Sequence, residues 1–367
     1  MMAPSFPLEK RITCSRTWSL LHVPLTQIRH YRIVGTRGFV IPPQVQSLTL
    51  AGDIPWQRID SLPFVTSLSL HGAMTLNRDN VRDKLAWIIP PLLRRLLIVD
   101  LDSKDDTTGM MQATLLDCMP NTLTALEVRY TDDEYAPAFP AMLKPALERL
   151  LRRLPSIMSI SLECMNGIKG LDTILALLPR TGMRRLDMIL RPDEGDGDAC
   201  TRLASSLPLS VETLWFRFSS QRAEATADML TIVSRLPLAT HDLTVEVDGV
   251  WSDAIAGTIP LSPTLRFLEL QPTCVPDQLN LAPLLKRLPT SLWLLRLSGM
   301  PIGGTPAAKA LAHHLPPRLG SLDLVDCRLT TADLDLLEPK WPATLRRLVV
   351  LGKTIPAARH IRLSAKK

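Results

Sequence analysis

Apolar positions along the chain follow two alternating periods. A short stretch of period two, L-x-x-L-x-L, recurs through most of the sequence, and between its copies apolar residues return every three to four positions. The copies begin at Val45, Val65, Leu93, Leu123, Ile157, Met183, Val211, Thr240, Leu265, Leu292, Leu319 and Leu345, at intervals of about 27 residues. Thr240 is a polar first position, followed in phase by Leu243 and Val245. A proline stands two to four residues before each copy, from Pro43 before Val45 to Pro342 before Leu345, most often as Leu-Pro. Proline disfavours helix in the residue before it and cannot donate to a ladder, so it ends one helix and turns the chain into the next strand. The intervening stretches predict helices. Met142–Leu154 places Leu143, Leu147, Leu150, Leu151 and Leu154 on one face. Arg222–Leu236 does so with Ala225, Met229, Ile232, Val233 and Leu236, and Ala307–Leu315 with Ala307, Ala308, Leu311, Ala312 and Leu315.

The clearest copy reads Leu319-Gly-Ser-Leu322-Asp-Leu324-Val-Asp-Cys327-Arg-Leu329, the form L-x-x-L-x-L-x-x-C-x-L. On this pattern the chain resembles the leucine-rich repeat proteins, over about residues 45–352. Unit length and the presence of helices resemble their ribonuclease-inhibitor-like class. The resemblance implies an α/β fold: a curved solenoid of about twelve repeats, with a parallel inner sheet and outer helices. Residues 45–352 are expected to form it. Residues 1–44 would be an N-terminal cap or a truncated second element, and 353–367 a C-terminal cap with a basic tail. One departure stands out. The family usually has Asn or Cys at the ninth position, where it bonds the turn; here that position holds Asp53, Ala73, Met165, Thr273, Met300, Cys327 and Lys353, of which only Cys327 conforms. The turns must be satisfied in another way.

Composition sharpens this picture. Length alone, 367 residues, would suggest two or three domains. Leucine supplies 66 residues and proline 31, while aromatics are 5%, which fits one small unit repeated many times. The net charge of +6 would suit a nucleic-acid partner. However, residues 1–40 carry +5 and residues 353–367 another +5, so the repeats themselves sum to −4. Neither a nucleic-acid nor a membrane partner is expected, since no apolar run approaches a membrane span. The six cysteines form no C-x-x-C pair and are expected to be reduced and mostly buried. Cytoplasm or nucleus is the expected location.

Candidate chemistry is sparse. Gly303-Gly304 lacks phosphate-loop spacing and reads as a turn entering a repeat helix. His313-His314 would point about 100° apart on a helix and suit no single ion. The acidic run Asp193–Asp198 departs from the calcium-loop pattern and reads as a solvated loop, with Asp198 near a helix start. No catalytic residue, metal or cofactor is expected, and the protein is read as no enzyme.

Strand alternation gives the expected binding face. Fourth and sixth positions point into the core; third, fifth and seventh point to the concave surface. Arg185, Asp187, Trp215, Arg217, Phe267, Glu269 and Arg296 fall there, and Trp and Arg are residue types enriched at binding hot spots. They are the candidate contacts for a protein or peptide partner. Alternatively, Trp215 and Phe267 cover each other across the sheet. Near the N-terminus, Ser15, Trp18, Leu21, Val23 and Pro24 are similar to the tail of an F-box, a motif often set just before leucine-rich repeats. That resemblance implies a substrate-recognition subunit of a cullin-type ubiquitin ligase, with Trp18, Leu21, Val23 and Pro24 at the adaptor. The alternatives are a leucine-rich repeat scaffold or inhibitor, or a GTPase-activating regulator, whose relatives end acidic where this chain ends basic.

Overall fold

The computed structural model describes residues 30–34, 41, 44–52, 54–55, 59, 62–72, 74–75, 85–86, 88–99, 110–129, 143–163, 171–190, 197–219, 230–251, 253–274, 279–350 and 353–356. They belong to two compact units, Met1–Cys164 and Met165–Lys367. Both are built from the same kernel, strand on one side and helix on the other.

In the Met1–Cys164 unit the strands are β1 (His30–Val34), β2 (Ser47–Ala51), β3 (Ser67–His71), β4 (Arg95–Val99), β5 (Ala125–Arg129) and β6 (Ser159–Glu163). They pair in parallel in chain order. Helices α1 (Met110–Asp117) and α2 (Leu143–Arg153) pack together. The predicted face of α2 is buried at Leu143, Leu147, Leu150 and Leu151. Arg149 of α2 grips Asp117 at 3.0 and 2.7 Å, and Arg153 donates to the Leu116 and Asp117 carbonyls. Both arginines thereby sit at the negative end of the α1 dipole.

In the Met165–Lys367 unit the strands are β7 (Arg185–Leu190), β8 (Thr213–Ser219), β9 (Asp242–Val250), β10 (Phe267–Cys274), β11 (Leu294–Leu297), β12 (Ser321–Leu324) and β13 (Arg347–Val350). These too pair in parallel in chain order. A last strand, β14 (Lys353–Pro356), turns back and pairs antiparallel with β13. The described helices are α3 (Leu171–Ala176), α4 (Gly197–Ser206), α5 (Asp253–Thr258), α6 (Ala282–Leu285), α7 (Pro306–His314) and α8 (Thr331–Leu337). Arginines again tie two of these helices to the one before: Arg202 to Asp172 at 2.7 Å, Arg287 to the Ala256 and Ile259 carbonyls.

The kernel does what its pattern predicts. First, fourth and sixth positions are buried in all twelve copies, including Thr240, whose hydroxyl donates to the Val211 carbonyl. This is the α/β fold of leucine-rich repeat proteins. The segment before Val45, expected as a cap, contributes β1, with Tyr31 and Ile33 buried in register with Leu48 and Leu50. Ile28, Tyr31 and Ile33 form one more L-x-x-L-x-L, with Pro24 four residues ahead. Its interval to Val45 is shorter than the common spacing of the repeat.

Two devices stand in for the missing Asn ladder. At the eighth position the backbone turns left-handed, at Gly52 (φ 83°), Gly72 (φ 85°), Gly299 (φ 70°) and Asp326 (φ 55°). Glycine and, less readily, aspartate tolerate that conformation. The N–H groups of Gly52, Gly72 and Gly299 then donate to the seventh-position carbonyls of the next copy, His71, Val99 and Val325. At the other end of the strand, a hydroxyl just before the kernel reaches back one repeat. Thr122 donates to the Pro91 and Leu93 carbonyls, Ser210 to Met183, Ser291 to Pro263 and Leu265, and Thr344 to Pro317 and Leu319. The one conforming ninth position behaves as expected. Cys327 Sγ donates to the Leu297 carbonyl at 2.6 Å, and burial pushes its pKa up to about 12, so the thiol stays protonated.

Candidate functional site

Parallel sheets are usually covered on both faces. Here most third, fifth and seventh strand positions alternate with the core as half-buried or exposed residues, so that one face stays largely open, although Ala51, Ser161, Asp187, Ile189, Ser321, Asp323 and Val349 on it are buried. In the Met165–Lys367 unit, the register aligns the fifth positions as a single row. Asp187 pairs with Trp215, Trp215 with Thr244, Thr244 with Glu269, Glu269 with Arg296, and Arg296 with Asp323. Neighbouring members stand about 4.8 Å apart, the spacing of paired strands.

The row is tied by charge. Arg296 reaches Glu269 through Nη1 at 2.9 Å and Asp323 through Nε at 3.3 Å. The hydrogen bond to Glu269 raises the guanidinium pKa, more than its burial lowers it. Glu269 and Asp323 are more deeply covered than Arg296, and Asp323 keeps Oδ1 buried without a hydrogen bond. Trp215 is half-buried, and its indole Nε1 donates to Glu246 Oε1 at 2.9 Å. Glu246 stands opposite Arg217 on the neighbouring strand.

The predicted contact residues divide accordingly. Trp215, Arg217, Phe267, Glu269 and Arg296 all lie half-buried on the open face. Arg185 is exposed there, but Asp187 is buried, and its Oδ2 accepts from Arg185 Nε at 2.8 Å and Nη2 at 2.7 Å. Asp187 thus holds Arg185 in place and offers no exposed surface of its own. Trp215 and Phe267 do not stand opposite each other: β9 runs between their strands, and Phe267 aligns with Asp242 where Trp215 aligns with Thr244. Glu246 and Asp323, which complete the polar pairings, were absent from the predicted set. The alternation that found Arg296 finds Asp323 one repeat further on.

Other sequence candidates take structural places. Thr305 caps α7 by accepting from the Ala307 N–H, so Gly303-Gly304 is the turn into that helix. A Cβ on Gly303 would collide with the Arg328 carbonyl at 1.8 Å. His313 and His314 are exposed in the last turn of α7, and Asp198 is exposed in the first turn of α4. Thr330 caps α8, and Asp333 completes the capping box by accepting from the Thr330 N–H, while also accepting from the Gly304 N–H one repeat earlier. Burial pushes its carboxyl up, but the bonds from Thr330 and Gly304 outweigh this and hold its pKa below the ordinary value. Trp18, Leu21, Val23 and Pro24 lie outside the described residues. Among the described residues there is no group of three or more potential metal ligands, and no helix long and apolar enough to cross a membrane.

Kernel, ladder and open face together define a protein of leucine-rich repeat architecture. No family model matches the chain, and no curated protein matches it. Among solved structures it is similar to the leucine-rich repeat-containing protein LegL7 from Legionella pneumophila, with TM-score 0.45 and 16% identity, over 80% of this chain and 98% of that one.

Proposed function

We propose that the protein is a non-catalytic module that binds another protein on the open face of the Met165–Lys367 unit. The observation that carries this reading is the fifth-position row, where a tryptophan and a bridged Glu-Arg-Asp set lie in one line, separated by Thr244 alone. Pairing on this face, within the row for Arg296 and to Glu246 for Trp215, fixes these side chains in advance, so a partner meets a surface with little left to order. Quantitative affinity purification with wild-type protein and a Trp215→Ala/Arg217→Ala variant tests it. Loss of specific partners is expected, with circular dichroism showing the fold retained; an unchanged partner set would overturn it.

Two versions of this reading differ at the N-terminus. A cullin-ligase substrate receptor is supported by the match at Ser15, Trp18, Leu21, Val23 and Pro24. A plain repeat scaffold is favoured by β1, which continues the kernel and gives Pro24 the same place that proline takes before the other copies. Co-purification of the full chain with the cullin adaptor, lost in Trp18→Ala/Leu21→Ala, supports the first version. No co-purification leaves the scaffold.

A further inference from the structure

The strands of the Met165–Lys367 unit start from a series of turns: residues 179–184, 208–212, 237–241, 263–266, 289–293, 316–320 and 342–346. The large apolar side chains exposed in this unit, among the described residues, are Leu209 (71%), Leu238 (67%), Trp293 (55%) and Leu336 (36%). The first three all lie on these turns, and so on one edge of the sheet. Scattered single leucines are ordinary on a surface; the three most exposed apolar side chains gathered on one edge are not.

Trp293 is held there by the absence of a neighbour's side chain. A Cβ on Gly320, one strand further on, would come within 2.4 Å of the Trp293 Nε1 and 2.8 Å of its Cε2. The indole therefore rests against the Gly320 backbone while more than half of it meets solvent.

Charge on the edge has one sign. The turns carry five exposed arginines, Arg180, Arg184, Arg266, Arg318 and Arg346, against one carboxylate, Glu212, and no lysine. Arg266 lies one strand before Trp293 and Arg346 two strands after it. Arginine with tryptophan and without lysine is the composition of protein interfaces. Arginine also grips carboxylates through two parallel hydrogen bonds. Leu209 and Leu238 want apolar side chains, not nucleobases.

We propose that this strand-start edge docks an acidic polypeptide segment bearing leucine-like or aromatic side chains. Leu209, Leu238 and Trp293 take its apolar groups, and Arg266 and Arg346 receive its carboxylates. The edge is a second surface and does not depend on binding at the open face.

Fluorescence anisotropy with the full chain tests the proposal. The probes are a labelled peptide of mixed glutamate and leucine, matched peptides of lysine with leucine and of glutamate with serine, and oligodeoxythymidine. Tightest binding of the glutamate-leucine peptide is expected. Trp293→Ala, Leu238→Ser and Arg346→Glu should each weaken it by about tenfold or more, with circular dichroism unchanged. Trp215→Ala should leave it unaltered. The proposal is overturned if the glutamate-leucine peptide does not bind, if the serine peptide or the oligonucleotide binds as tightly, or if the edge variants have no effect. Loss of binding in Trp215→Ala alone would overturn it while leaving the open-face reading intact.

Discussion

In the Met1–Cys164 unit the fifth position of the copies from Val45 onward carries Thr49, Ser69, Leu97, Glu127 and Ser161, with Arg32 before them on β1; in the Met165–Lys367 unit it carries Asp187, Trp215, Thr244, Glu269, Arg296, Asp323 and Val349. The fourth and sixth positions beneath are interchangeable, a Leu, Ile, Val, Met or Phe buried to the same degree in both. Burial therefore fixes the inward half of each strand, whereas the outward half is free to differ. In the first unit it is mostly small and polar. In the second it holds an indole and a three-member ion network. The difference shows that the outward residues can change without altering the architecture.

The comparison can be broken first at its base. Leu295→Ala in the second unit and Leu68→Ala in the first both empty a fully buried fourth position. Each should lose about 3 kcal/mol in urea unfolding. A large disparity would show that the two cores are not equivalent. At the fifth position the units should part. Arg296→Ala strands Glu269 and Asp323, which are largely covered, and should lose about 2 kcal/mol. Ser69→Ala, its counterpart, should stay within about 0.5 kcal/mol. Equal effects would remove the contrast between the faces.

Smaller effects sharpen it. Asp333 closes the capping box of α8, while the described helices of the first unit carry no acid in their first turn. Its lowered pKa means that the stabilisation is present above the usual carboxylate pKa, about 4, and is lost as pH falls through the lower folded value. Asp333→Asn should therefore lose about 1 kcal/mol at neutral pH. Its deficit against wild type should shrink as melting curves are taken to lower pH; a constant deficit would count against the cap. Last, Trp215→Phe removes the hydrogen bond to Glu246 and should lose roughly 0.5–1 kcal/mol. An unchanged melting temperature would show that the indole is held by packing alone.

Most of the fold was legible because burial is written in the apolar pattern. Leu322 and Leu324 announce a strand face, and Leu147 with Leu150 and Leu151 a helix face, whatever lies elsewhere in the chain. Strand β1 was missed because its kernel stands at a short interval from the next. The site was half legible. Alternation places Arg296 and Trp215 on the open face, but it cannot say that Asp187 folds under Arg185, or that Trp215 turns towards Glu246. Those depend on side-chain direction and on which strands are neighbours. The pre-kernel hydroxyl had a visible signal, Pro-x-Thr/Ser before the first apolar position, at Thr122, Ser210, Ser291 and Thr344. Its meaning required the preceding repeat in three dimensions.

Those hydroxyls bear on how such a chain can change over time. Each one reaches carbonyls that the previous copy presents in the same place, so the link depends on order along the chain and not on the identity of a particular neighbour. An in-frame duplication or loss of one whole unit between Thr122 and Thr344 would remake the joint wherever the new neighbour carries the same turn. Length can thus drift in steps of one repeat while the outward residues diverge separately, and a binding face can be lengthened before it is refined.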